Sequence, residues 1–159
     1  MATDSVERQL LDEPIGQLDL SNFCVVTADT TVRETIERMR MMGQRCAFVV
    51  GEHTRLLGIL TDRDVLRKIV NHPDTWDRPV SSVMTLRPET LAPTATTREA
   101  LRLMMERHFR NVPVVSSSGT VIGNVTQFSL LKLLTDHFPQ EVYNLPPDPT
   151  NFAQQRDGG

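Results

Sequence analysis

The sequence lacks the features that would place the protein in a membrane or on a nucleic acid. It has no run of about 18 apolar residues, and residues 1–13 are acidic rather than a basic segment followed by an apolar one. Seventeen lysines and arginines stand against 20 aspartates and glutamates, so the formal net charge is −3. A phosphate backbone or an anionic lipid surface needs a basic surplus. We therefore expect a soluble cytoplasmic protein that binds neither nucleic acid nor membrane.

The sequence is also poor in the residues of metal sites and catalytic centres. Its two cysteines, Cys24 and Cys46, have neither the CxxC spacing nor a histidine partner of a metal site, so we expect two reduced, partly buried thiols. The four histidines fall at turns and helix ends without serine or cysteine partners at a familiar catalytic spacing. We expect no enzyme, no catalytic residue, no metal and no required cofactor.

What the sequence does contain is an internal repeat. The stretch Gly58-Ile59-Leu60-Thr61-Asp62-Arg63-Asp64 returns 65 residues later as Gly123-Asn124-Val125-Thr126-Gln127-Phe128-Ser129. The register holds without a gap from residue 15 to residue 70, and repeats of this kind set the architecture of a chain. A unit of about 60 residues buries only about 60% of its unfolded surface, so we expect the two copies to share a core. Identical pairs include Thr31/Thr96, Glu34/Glu99, Met39/Met104, Arg45/Arg110, Val49/Val114 and Leu66/Leu131.

Each copy has the pattern of strand, helix, strand, strand, helix. The first helix of each copy opens with a capping box, from Thr31 to Glu34 and from Thr96 to Glu99. Gly43 is positioned to end the first of these helices. Two apolar runs then follow, separated by a turn sequence, which predicts a β-hairpin in each copy. We predict a mixed α/β (α+β) fold in which the copies pack with pseudo-twofold symmetry.

The repeat also predicts how the chain is divided. Residues 1–14 form a leader that we expect to dock as a short helix, and residues 15–72 form the first repeat. Residues 73–79 link the copies, and residues 80–138 form the second repeat. Residues 139–159 form a tail with several prolines, which favours an extended and mobile segment.

The junction between the third strand and the second helix is the candidate binding site. A strand that runs into a helix N-terminus gathers unpaired N–H groups at the positive end of the helix dipole, which suits an anion such as phosphate. The first copy adds a carboxylate, Asp64, three residues after Thr61, whereas the second copy has Ser129 at that position. The pattern Thr61-x-x-Asp64 fits a helix cap equally well, so a purely structural role for Asp64 stays open.

The duplicated unit, with G-h-h-T-x-x-D at its third strand, resembles the cystathionine β-synthase-type (CBS) domain pair, or Bateman module. Val83-Met84-Thr85 and Arg110-Asn111-Val112-Pro113-Val114-Val115 also look like that family, and the resemblance covers roughly residues 15–138. It implies a regulatory module that binds an adenosine nucleotide, AMP, ADP or ATP, with S-adenosylmethionine and NAD as further candidates. It also implies two clefts between the copies, and signalling to an effector protein of unknown identity.

Within the first and main cleft, the resemblance implies that Thr61 and its backbone hold phosphate, with Arg63 nearby. Asp64 would accept hydrogen bonds from the ribose hydroxyls, and the base would pack between two strand segments of the second copy. Arg110 and the nearby His108 fit an ordinary solvated surface equally well. The ligand-binding residues expected for this cleft are Gly58, Thr61, Arg63, Asp64, Thr90, Leu91, Ala92, Arg110, Asn111, Val112 and Pro113.

For the second cleft, the resemblance implies a weaker site, because Ser129 stands where the family has a carboxylate. The residues expected there are Val25, Val26, Arg45, Cys46, Ala47, Thr126 and Ser129.

Two further expectations concern assembly. Several helices carry Leu, Met and Val in excess of what a small intramolecular core needs, which favours a homodimer. A ligand-free dimerisation or adaptor module is the alternative function, and the presence of both Thr61 and Asp64 favours the sensor.

Overall fold

The structure is a computed structural model that describes residues 2–137. In this part of the chain there are five helices and six strands. The helices are α1 (Ala2–Asp12), α2 (Val32–Met41), α3 (Asp62–Asp64, continued by a π-helical stretch, Val65–Ile69), α4 (Thr97–Arg107) and α5 (Gln127–His137). The strands are β1 (Cys24–Thr27), β2 (Cys46–Val50), β3 (Leu56–Thr61), β4 (Thr85–Leu86), β5 (Asn111–Val115) and β6 (Val121–Thr126). The predicted end of the second repeat, Phe138, and the proline-rich tail lie outside the described residues.

The strands form two small sheets, one for each copy. The first has the order β1-β2-β3-β4, with β1 parallel to β2 and the other neighbours antiparallel. The second contains β5 and β6 as an antiparallel pair, and Leu91 adds a parallel bridge to Val114 where the first copy has β1. The predicted mixed α/β fold and both predicted hairpins are confirmed.

The two copies have equivalent backbones at the 65-residue offset. Cys46 pairs with Thr61 in the first hairpin, and Asn111 pairs with Thr126 in the second. Even the register shift repeats, since it falls after Val49 in β2 and after Val114 in β5. The internal repeat read from the sequence is therefore a structural repeat.

Both predicted capping boxes are present. At α2 the Glu34 N–H donates to Thr31 Oγ1 at 3.1 Å, and the Thr31 N–H donates to Glu34 Oε2 at 3.2 Å. The same pair of bonds opens α4 between Thr96 and Glu99. Gly43 follows α2 with a φ of +64°, a conformation that glycine adopts without steric cost.

The copies exchange the segments that precede their first strands. The Ile15 N–H donates to the Ala95 carbonyl at 2.8 Å, and the Val80 N–H donates to the Thr30 carbonyl at 2.7 Å. Ile15 is buried in the core of the second copy, and Val80 is buried in the core of the first. This reciprocal exchange is what pseudo-twofold packing requires, and it joins the two small cores into one folding unit.

Helix α1 packs on the second copy rather than on the first. Its Leu10 is buried, the Thr97 N–H donates to the Glu13 carbonyl at 2.9 Å, and Arg98 pairs with Asp12 at 3.2 Å. None of the helices within residues 2–137 is long and apolar enough to cross a lipid bilayer.

Gly58 in β3 and Gly123 in β6 allow a segment of the other copy to approach each strand closely. A Cβ at Gly58 would lie 2.6 Å from Met84 Sδ and 2.8 Å from the Thr85 carbonyl oxygen. A Cβ at Gly123 would lie 2.9 Å from the Leu20 carbonyl oxygen and closer still to Leu20 Cβ. Both glycines therefore let the exchanged segment of the other copy lie against the strand.

Candidate functional site

The main cavity lies between the copies, where β3 ends and α3 begins. Its volume is about 500 Å³, within the range of roughly 300 to 1,000 Å³ that small-molecule sites occupy. Both copies contribute side chains to it. Of the predicted site residues, those that line it are Thr61, Arg63, Asp64, Arg110, Asn111 and Pro113.

Thr61 and Asp64 form a third capping box at the mouth of α3. The Thr61 N–H and hydroxyl reach Asp64 Oδ2 at 3.0 and 2.9 Å, and the Asp64 N–H donates to Thr61 Oγ1 at 3.2 Å. Lys68 pairs with the other carboxylate oxygen, Oδ1, at 3.0 Å. The helix cap that this pattern predicts is thus present.

The capping bonds do not occupy every hydrogen-bond acceptor position of the Asp64 carboxylate. A carboxylate offers about four acceptor positions, and the three donors from Thr61 and Lys68 leave room for another. The Asp64 side chain keeps 16% of its surface exposed and lines the main cavity. The same carboxylate can therefore cap the helix and accept a hydrogen bond from a ligand hydroxyl.

The cavity wall is rich in arginine. Among its described lining residues, five are arginines and three are carboxylates, so the wall has a cationic surplus. Arg107 pairs with Glu89 at 3.0 Å, and Arg63 donates to the His108 carbonyl at 3.4 Å. A concave surface with excess positive charge attracts anions, phosphate among them. The five are Arg63, Arg67, Arg87, Arg107 and Arg110.

The structure does not bring the other predicted residues of the main cleft to the cavity. Gly58 and Val112 are buried in their strands. A Cβ at Gly58 would meet Met84 and Thr85, and the Val112 side chain packs in the core of the second copy. Leu91 is bonded to β5, since its N–H donates to the Pro113 carbonyl at 3.0 Å, and its side chain packs against the second core. Thr90 and Ala92 flank Leu91 and are exposed away from the cavity.

The wall that we had expected from residues 90–92 is formed instead by residues 85–89. Thr85 pairs with Ile59 in β4, and the Arg87 N–H donates to the Leu57 carbonyl at 3.1 Å, which holds the segment over the first sheet. Arg87 has a φ of +45°, an uncommon backbone conformation for a residue with a side chain. The signal available in the sequence was Val83-Met84-Thr85, which leads into this wall. Lining residues that sequence reasoning missed are Thr85, Arg87, Pro88, Glu89, Arg67 and Arg107.

The second cavity lies at the equivalent junction, where β6 ends and α5 begins. It has a volume of about 440 Å³, and Thr126 and Arg45 are the predicted residues that line it. It adjoins the main cavity, because Asp62, Arg110 and Asn111 line both.

The remaining predicted residues of the second cleft do not line that cavity. Val26, Cys46 and Ala47 are buried in β1 and β2, and Val25 on β1 is partly buried. Ser129 is 2% exposed, and its hydroxyl donates to the Asp19 carbonyl at 2.8 Å. The Ser129 hydroxyl therefore caps α5 and binds the backbone of the first copy.

Burial favours the protonated form of both thiols. Loss of hydration raises the pKa of Cys46 to about 12, and burial also raises the pKa of Cys24. Both thiols are free, as expected. Among residues 2–137, no group of three or more histidines, cysteines and carboxylates is arranged to hold a metal ion.

Comparison with known proteins identifies the family. The family model described as "CBS domain" matches residues 15–71 and 80–136. The chain belongs to the CBS-domain family. Its two matched segments coincide with the two copies of the structural repeat, so the protein contains a CBS pair.

Curated relatives share the pair but differ in length. An uncharacterised 17.7 kDa protein of Acidianus ambivalens is 26% identical over 122 residues, which cover 77% of this chain and 73% of that protein. The CBS domain-containing protein CBSCBSPB1 of Arabidopsis thaliana is 32% identical over 113 residues, which cover 70% of this chain and 21% of that protein. A protein of Rickettsia prowazekii is 32% identical over 69% of this chain, and the match spans 33% of its length.

Solved structures share the fold. A crystal structure of CBSX2 in complex with AMP has a TM-score of 0.70 and 24% identity, over 78% of this chain and 97% of that chain. The CBS domain of a membrane protein from Sphaerobacter thermophilus has a TM-score of 0.69 and 25% identity, over 83% of this chain and 94% of that chain.

Proposed function

We propose that the protein is a regulatory sensor that binds an adenosine nucleotide in the main cavity. The observation that carries the proposal is the junction of Thr61 and Asp64. There Arg63 at the start of α3 and the partly free Asp64 carboxylate lie on one wall of a cavity of about 500 Å³. A nucleotide combines an anionic phosphate with a pair of ribose hydroxyls; the arginines of the cavity wall match the phosphate, and the Asp64 carboxylate matches the hydroxyls.

Other lining residues suit the base. Pro88, Pro113 and Ile59 present apolar surface to the cavity, and Asn111 presents an amide. Ligand sites combine apolar walls with a few polar groups that fix the orientation, and these four residues match that pattern.

The structural neighbour supports the choice of ligand. CBSX2 was crystallised in complex with AMP, and this chain has the same fold over 97% of that protein. Among AMP, ADP, ATP, S-adenosylmethionine and NAD, we therefore favour AMP as the first probe. The nucleotide acts as a regulatory ligand, and no catalytic role or cofactor is part of the proposal.

Signalling follows from where the cavity lies. The main cavity is lined by both copies, so a ligand that contacts both biases their relative arrangement by its differential affinity for the two arrangements. An effector protein, still to be identified, reads that change in the cytoplasm.

A homodimer is part of the proposal. Helices of both copies expose large apolar side chains at matching positions, with Leu66 70% exposed and Leu131 56% exposed. Met105 and Phe128 extend the apolar surface of the second copy. Apolar surface of this extent is typical of an interface between proteins.

One observation favours a second function, a ligand-free dimerisation or adaptor module. The capping bonds and the Lys68 pair give Asp64 a complete structural role without any ligand. In that case the apolar helix faces would be the functional surfaces, and both cavities would stay empty.

A thermal-shift panel separates the two functions. AMP, ADP, ATP, S-adenosylmethionine, NAD and inorganic phosphate are each added to the wild-type protein at millimolar concentration. A ligand at 100 times its dissociation constant stabilises the folded state by about 2.7 kcal/mol, which raises the melting temperature by several degrees. We expect that rise with at least one adenosine nucleotide and not with phosphate.

The same panel is run on Asp64→Ala, with Thr31→Ala as the matched control. Both variants lose a helix cap, but only Asp64 lines the cavity. The sensor predicts that the nucleotide shift shrinks in Asp64→Ala alone. If no adenosine compound raises the melting temperature of the wild type, the adaptor function is the better account.

A further inference from the structure

The two clefts differ most at their inner ends. In the main cavity the inner wall includes Ile59, Pro88 and Pro113. The repeat places Asn124, Phe23 and Phe48 at the matching positions, and these three do not line the second cavity. The second cavity is thus lined at the junction of β6 and α5, but not by the counterparts of the inner wall of the main cavity.

At the matching place in the second copy's cleft, two aromatic rings of the chain are in contact. Phe23 stacks on Phe48, with ring centroids 4.7 Å apart and planes inclined by 23°. Phe48 is fully buried, and both rings pack in one apolar cluster with Ile59. Offset stacking of this kind is favourable beyond the apolar area that it buries. It is also the way in which a planar base would pack on this wall.

The backbone beside Phe23 is tied down. The Asn124 N–H donates to the Leu20 carbonyl at 2.9 Å, and Asn124 Nδ2 donates to the Asn22 carbonyl at 2.8 Å. Asn124 is fully buried, so these bonds form in a dry environment where a lost partner is costly. The segment that carries Phe23 is therefore held against β6.

The main cleft has no such filling. Its counterpart of Phe23 is Pro88, whose short ring lines the cavity, and its counterpart of Leu20 is Thr85, which also lines it. The main cleft thus has a short proline ring where the second cleft has the stacked ring of Phe23.

We propose that the Phe23 ring occupies the base slot of the second cleft, so that the chain takes one adenosine nucleotide, at Thr61 and Asp64. This inference rests on the proposed function, because it assigns the number of nucleotides that the module binds. Phe23 is the residue that sets this number.

Calorimetric titration with AMP tests the proposal on the full-length protein. We expect one AMP per chain for the wild type up to millimolar ligand. Phe23→Ala removes the ring, and we expect a second, weaker equivalent. Phe23→Leu is the matched control, since it keeps a large apolar side chain in the slot, and we expect one equivalent. Two equivalents in the wild type, or one in Phe23→Ala, would overturn the assignment.

A second measurement covers a Phe23→Ala variant that does not fold. Amide chemical shifts of the wild type are followed during titration with AMP. Shifts at residues 61–64 that saturate without shifts at residues 126–129 support a single occupied cleft. Saturating shifts at both junctions would contradict it.

Failure of the proposed function gives a different pattern. If the wild type binds no AMP, ADP or ATP, the sensor is wrong, and the slot is tested with adenosine instead. Adenosine should then raise the melting temperature of Phe23→Ala and leave that of the wild type unchanged. No rise in Phe23→Ala would overturn the filled slot as well.

Discussion

The two clefts have the same frame and different contents. Each is built where a third strand runs into a helix, and each begins with a threonine that caps that helix, Thr61 or Thr126. In the first, a carboxylate follows and the inner wall is open. In the second, the buried Ser129 follows and Phe23 stacks on Phe48. The comparison shows that duplication supplies the backbone of two sites, whereas a few side chains decide whether each is a site.

The largest effect that we expect comes from the glycines that allow each exchanged segment to approach its strand. Gly58→Ala and Gly123→Ala both force a Cβ into contacts shorter than 3 Å. Overpacking of this kind costs about 1 to 3 kcal/mol. Both new methyl groups meet a backbone carbonyl oxygen, of Thr85 or of Leu20, but Gly123→Ala should cost more, since it also meets Leu20 Cβ, whereas the other close contact of Gly58→Ala is the flexible Met84 side chain.

Urea unfolding measures both costs, and AMP titration tells the variants apart. Gly58→Ala displaces Thr85, which lines the main cavity, so it should also weaken AMP binding. Gly123→Ala should leave AMP affinity unchanged. Equal loss of AMP affinity in the two variants would mean that the clefts are not distinct.

The second prediction concerns the residues that follow the two threonines. Asp64→Ala should weaken AMP binding roughly tenfold or more, because hydrogen bonds to a charged acceptor contribute about 1.5 to 3 kcal/mol. Ser129→Ala removes a hydroxyl that is already bonded to Asp19 and should leave the affinity unchanged. Calorimetry on both variants provides the test. Loss of the tight site in Ser129→Ala with Asp64→Ala unaffected would reverse our assignment of the clefts.

A third prediction concerns charge. Arg63 lines the main cavity, and its counterpart in the second copy is Phe128. Arg63→Ala should weaken AMP binding by about 1 kcal/mol, roughly fivefold, because a charge-assisted contact to phosphate is lost. The difference in AMP affinity between the wild type and Arg63→Ala should shrink as salt is added, since exposed charges are screened. Arg98→Ala is the control, because Arg98 lines neither cavity and pairs with Asp12, and it should not alter affinity at any salt concentration.

The smallest expected effect is a loss of stability at high pH. The pKa of Cys46 is raised from 9.0 to about 12 by burial, so the folded state holds this proton more tightly than the unfolded state. The contribution is complete below about pH 9 and declines as the pH rises towards 12. The free energy of unfolding should fall by roughly 1 kcal/mol between about pH 8 and about pH 10.

Cys46→Ala tests that slope. The variant should show a shallower fall in the free energy of unfolding over the same pH range, measured by urea titration at each pH. An unchanged slope would mean that other groups carry the pH dependence.

Local patterns were enough to predict the capped helices and the hairpins, whereas the first strand expected in the second copy is reduced to the bridge between Leu91 and Val114. The capping boxes at Thr31 and Thr96, the αL glycine at Gly43 and both hairpins depend on residues close together in the chain. The 65-residue offset extended these predictions to the architecture, because two equivalent small units can bury their apolar faces only against each other.

The inner walls of the clefts depend on contacts that no local pattern indicates. Strand β4 has only two residues, and it forms because the exchanged segment of the second copy reaches the edge of the first sheet. Sequence reasoning therefore placed the wall at residues 90–92 instead of 85–89. In the same way, the sequence places Phe23 at the start of an apolar strand, whereas in the structure it precedes β1 and its ring stacks on Phe48 of β2.

The most direct test of the account is a crystal structure of the wild-type protein grown with millimolar AMP. We predict one nucleotide per chain, with its ribose hydroxyls within hydrogen-bond distance of the Asp64 carboxylate and its base between Ile59 and Pro113. Phe23 should remain stacked on Phe48. A nucleotide seated against Thr126, with the Phe23 ring turned away, would contradict the account.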